Sequence, residues 1–62
     1  MSVKKLFDIF ETDEIPGTRK ELEILAIRIE ELIRLNGEDW VRKNQKTLLN
    51  QWDFALKQGI GK

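Results

Sequence analysis

The only proline of the chain, Pro16, is followed directly by Gly17, and no helix runs through that pair. Proline disfavours the helical region for the residue before it, here Ile15. Pro-Gly is also strong turn punctuation. The pair therefore divides the 62 residues into a short leading segment and a long remainder.

In the leading segment, Val3, Leu6, Phe7 and Phe10 recur at the i, i+3, i+4, i+7 spacing of one helix face. Ser2 is a suitable N-cap. A helix over about residues 3–11 is expected. It is too short to be stable alone, so it must dock its two Phe rings on something.

After the turn, Thr18-Arg19-Lys20-Glu21 has the spacing of a capping box. Asn36-Gly37 supplies the stop, with glycine taking the left-handed conformation. A second helix is expected over 19–36, roughly 27 Å long at 1.5 Å per residue. A third is expected over about 38–58. It starts on Glu38 and Asp39, which suit the positive end of the dipole, and finishes near Lys57, which suits the negative end. Gly59 is its expected stop, with Ile60 making the accompanying apolar contact. Acid-before-base pairs four apart (Glu30 with Arg34, Glu38 with Arg42, Asp39 with Lys43, Asp53 with Lys57) support the helical reading.

The second helix carries one broad apolar stripe, Leu22, Leu25, Ala26, Ile29, Leu32 and Ile33. Ile24, Ile27 and Leu35 make a weaker patch on the opposite side. The third repeats the design. Val41, Leu48, Trp52, Ala55 and Leu56 form its main stripe, interrupted by Asn44 and Gln45, while Trp40, Thr47 and Phe54 lie on a separate line. A helix with one neighbour needs one stripe. The short Asn36-Gly37 link favours antiparallel packing. The expected architecture is all-α: one domain over 1–62, an antiparallel helical hairpin with a short N-terminal helix covering one end or flank.

So short a chain buries only about 60% of its unfolded surface. Small domains are usually reinforced by disulfides, a metal or oligomerisation. Without Cys or His, disulfides and a His- or Cys-ligated metal are excluded. The surplus stripes then point to a homodimer that turns two hairpins into a four-helix-type bundle. In the alternative, the first helix covers the second stripe of a monomeric three-helix bundle.

The inventory is also poor for catalysis. Without His, Cys or Tyr, the usual general base, thiol nucleophile and phenol are missing. Asp8, Glu11, Asp13 and Glu14 read as a solvated acidic loop rather than a paired-carboxylate site. They lack calcium-loop spacing. Gly17 with Arg19 and Lys20 precedes a helix start, but no phosphate-loop motif is present, and capping by Thr18 explains the residues. No cofactor, metal or small-molecule substrate is expected. No apolar run is long enough for a membrane span. The first helix is too short for a stable membrane anchor. No signal peptide is expected, and the expected location is cytoplasmic.

Binding is what remains. Trp40 and Phe54, with Ile24, Ile27 and Leu35, are the candidate interface to a second copy or another protein, since Trp is enriched at interface hot spots. The expected role is regulatory or adaptor. The alternative is RNA or DNA bound by the third-helix face that carries Arg42, Lys43, Lys46, Asn50 and Lys57, with Asp53 its one acid. Residues 38–62 hold five bases against three acids, and residues 1–37 hold six against eight. Two features oppose that alternative. The net charge is zero, and a recognition helix presents its N-terminal end to the groove, which here is acidic.

Overall fold

The computed structural model describes residues 2–59. Among them there are helices and no strand: α1 Val3–Ile9, α2 Arg19–Asn36, α3 Glu38–Lys43 and α4 Gln45–Lys57. The expected contact of Ile60 lies outside the described residues.

Helix α1 is capped by Ser2, whose Oγ accepts from the Lys5 amide at 3.4 Å. It ends two residues earlier than its apolar spacing suggests. Phe10 is the C-cap, and Glu11 takes φ 51°, a left-handed conformation that costs a residue with a Cβ about 1–2 kcal/mol. The turn aims the Glu11 carboxylate at Arg42, 3.5 Å away, which offsets part of that cost.

Helix α2 has the boundaries its caps dictate. Thr18 Oγ1 accepts from the Glu21 amide at 3.2 Å, and Glu21 Oε1 accepts from the Thr18 amide at 2.7 Å. Two of the four orphan amides at the helix start are thus satisfied. Thr18→Ala removes half of the box and is expected to cost about 1 kcal/mol, read as a lower urea midpoint at unchanged slope. At the other end Gly37 donates to the Ile33 carbonyl at 2.8 Å. Its φ of 92° and ψ of 155° are not the left-handed helical geometry expected there. They fall in a region that only glycine populates freely. That conformation lets one residue close α2 and open α3.

The third expected helix is two helices. Asn44 (φ −102°, ψ 16°) leaves helical geometry and separates α3 from α4. The cause lies in the two polar residues on the apolar line. Asn44 Nδ2 donates to the Trp40 carbonyl and Gln45 Nε2 to the Arg42 carbonyl, each at 2.8 Å. The Trp40 carbonyl also accepts from the Asn44 backbone amide at 3.1 Å, so these side chains add to the bonding at the end of α3 and stabilise the interruption.

The core is closed by all four helices and the loop. Leu6, Ile9 and Phe10 of the α1 region, Ile15 of the linker, Leu22, Leu25, Ala26 and Ile29 of α2, Val41 of α3 and Trp52 of α4 are buried together. Helix α1 is therefore a full member of the core. Pro16 forces Ile15 out of helical geometry, and the linker then drops that side chain into the interior, 7% exposed.

Helix α2 approaches α1 and α3 most closely. Helix α4 returns toward the start of α2. Trp52 Nε1 donates to the Pro16 carbonyl at 2.8 Å, across 36 positions of sequence. Leu56 packs beside Gly17, where an added Cβ would lie 3.6 Å from its Cδ1 and 3.3 Å from Glu21 Cβ. The radius of gyration is 10.8 Å. A compact chain of this length should show about 10.6 Å, so one copy closes on itself.

Candidate interaction surface

With the core complete, five large apolar side chains among the described residues stand exposed: Ile24 38%, Ile27 67%, Leu35 73%, Trp40 40% and Phe54 64%. These are the residues that the helical wheel puts off the main stripes. Their grouping differs from the expected one. Ile24, Ile27 and Leu35 share the outward face of α2, opposite the buried Leu22, Leu25, Ala26 and Ile29. Trp40 and Phe54 do not share a helix. The shared line of Trp40, Thr47 and Phe54 assumes an unbroken helix, and the interruption at Asn44 puts Trp40 on α3 and Phe54 on α4.

The basic residues of α3 and α4 are partly spoken for. Arg42 is half-buried among three carboxylates: Glu38 at 3.2 Å, Glu11 at 3.5 Å and Asp8 at 3.7 Å. One guanidinium thereby ties α1 and the end of its turn to α3. Lys57 pairs with Asp53 at 3.2 Å. Lys43 and Lys46 are exposed and make no ion pair among the described residues. The acidic segment divides in the same way. Asp8 and Glu11 face Arg42, while the Glu14 amide donates to Thr12 Oγ1 at 3.1 Å.

Two hollows lie between helices. A shallow open groove between α1 and the start of α2 is lined by Ser2, Val3, Lys4, Phe7, Arg19 and Leu22. A crevice of about 20 Å³ lies between α2 and α4, against Trp52. No group of three or more His, Cys, Asp or Glu among the described residues is placed to hold a metal. No described helix is long and apolar enough to cross a membrane.

Two features of this surface escape the sequence. The Arg42 cluster joins residues more than thirty positions apart, and i, i+4 counting finds only its Glu38 member. The groove beside α1 needs the docking of α1 on α2, which periodicity does not specify.

Compared with known proteins, the chain matches no family model, no curated sequence and no solved structure.

Proposed function

We propose that the chain is a small non-catalytic module, regulatory or adaptor in role and cytoplasmic, that binds protein through apolar helix faces and assembles as a homodimer. In that assembly, α2 and the α3–α4 pair of each copy act as a helical hairpin, and two hairpins form a four-helix-type bundle. The observation that supports this reading is the outward face of α2. Ile27 and Leu35 stay about two-thirds or more exposed in a chain whose core is already closed. Apolar side chains scattered singly on a surface need no explanation, whereas several on one helix face mark an interaction site. Trp40 and Phe54 extend the recognition surface onto α3 and α4, as aromatic anchors of the kind that dominate interface energetics.

The nucleic-acid reading has less behind it. Of Arg42, Lys43, Lys46 and Lys57, the first and last already face carboxylates of the same chain.

A dilution series followed by amide-resolved NMR, from micromolar to millimolar protein, tests the proposal. The expected result is concentration-dependent shifts concentrated at Ile24, Ile27 and Leu35, lost in the Ile27→Ser variant while its helix content and melting temperature stay the same. Shifts that never change with concentration, or that fall only on the buried faces, would overturn it.

A further inference from the structure

The outward face of α2 has an order as well as a composition. Along its centre lie Lys20, Ile24, Ile27 and Glu31, spaced four, three and four residues apart. At about 100° per residue these four positions fall within roughly 60° of one another on the helix. All four are exposed. Neither Lys20 nor Glu31 makes an ion pair among the described residues, although neighbouring Arg19 and Glu23 pair with each other at 3.9 Å. From the N-terminal end, the stripe reads cation, apolar, apolar, anion. Its spacing is the same in both directions and its charges are opposite at the two ends.

A stripe of that kind is complementary to its own reverse. When a second copy of α2 is laid antiparallel across it, Lys20 of each chain meets Glu31 of the other, and Ile24 of each meets Ile27 of the other. The 4-3-4 spacing gives the a-to-d pairing of an antiparallel two-helix seam. The contact is isologous, as a two-fold axis requires, with the axis passing between Leu25 and Ala26. A parallel copy would instead put Lys20 on Lys20 and Glu31 on Glu31. In the antiparallel register, the exposed Leu35 overhangs the stripe toward the exposed Pro16 of the second copy.

We infer that α2 pairs antiparallel with α2 of a second copy, in the register that sets Lys20 against Glu31 and Ile24 against Ile27. This inference rests on the homodimer proposed above and fixes its geometry. The occupant of the face is another copy of the chain, because the charge order matches itself in reverse and leaves neither end with a like charge.

Charge exchange tests the register with the whole chain. Lys20→Glu and Glu31→Lys are made singly and together, with folding checked by circular dichroism and association by sedimentation equilibrium. Each single variant places like charges at both ends of the stripe, and its homodimer dissociation constant is expected to rise about tenfold or more. The double variant should recover the wild-type constant. An equimolar mixture of the two singles should form a one-to-one heterodimer, seen by native mass spectrometry, because each Glu then meets a Lys. If the singles associate like the wild type while Ile27→Ser dissociates the dimer, the register is wrong and the α2 interface stands. If the wild type itself stays monomeric up to millimolar concentration, the homodimer reading fails, and the register with it.

Discussion

Trp52→Ala is expected to cost the protein about 3–5 kcal/mol of stability at 25 °C. Trp52 is 2% exposed and is the buried side chain that α4 contributes to the core. Truncating a buried Trp or Phe to Ala costs about 3–5 kcal/mol, from lost transfer energy and the cavity left behind. A domain of 62 residues has about 3–9 kcal/mol of total stability. One substitution therefore removes from about a third of the stability to all of it. The loss includes the hydrogen bond to the Pro16 carbonyl, which holds α4 against the linker. Trp52→Phe isolates that bond. It keeps most of the apolar bulk and strips the donor, for an expected loss of about 1 kcal/mol from the bond itself. Trp40→Ala is the control for residue type. At 40% exposure Trp40 lies outside the core, and its truncation should cost well under half as much. Far-UV circular dichroism during urea titration ranks all three.

Phe10→Ala is expected to cost about 3–5 kcal/mol as well, although Phe10 ends a helix of seven residues. A helix that short has no independent stability. Its contribution comes from three side chains, with Leu6 and Ile9 at 0% and Phe10 at 2% exposure. Phe7, three positions earlier and only half-buried, is the comparison. Phe7→Ala should cost less than half as much. Small losses at both positions would mean that α1 lies on the surface and that the core is closed without it.

These two residues also mark how far the sequence could be read. The bounds and buried face of helix α2 were legible, because they are encoded locally by Thr18, Glu21, Gly37 and a 3.6-residue period; the conformation of Gly37 was not. The exposure of Ile24, Ile27 and Leu35 follows from the same period. The burial of Trp52 was legible from its stripe. Its hydrogen bond to Pro16 was not, since a partner 36 residues away leaves no local trace. The division of the third helix left a sign that pattern reading underrates: Asn44 and Gln45 interrupt the apolar line at the point where their side-chain amides donate to carbonyls of α3. The early end of α1 at Ile9 left no such sign. Glu11 takes positive φ without being glycine, and what rewards it is Arg42, a contact that exists only after α1 has docked near α3. Ile15 was misleading in another way. Proline fixed its backbone as non-helical, but only the path of the linker decides that its side chain turns inward.

For the candidate surface, the residue choice was legible and the grouping was not. Trp40 and Phe54 share a line only on a continuous helix. Arg42 belongs to a basic stripe only until the carboxylates of Asp8 and Glu11 are brought beside it. The first regrouping follows from the break at Asn44, and the second from the docking of α1 beside α3, which leaves Arg42 half-buried.

The central claim is that one chain closes its own core and leaves the outer face of α2 for a second copy. Molar mass by light scattering over a wide concentration range tests it most directly. The account predicts 7.3 kDa at high dilution, with the full helical signal retained, rising to twice that value as concentration increases. A mass fixed at the single-chain value up to millimolar concentration would contradict it, as would a helical signal that collapses when the dimer is diluted apart.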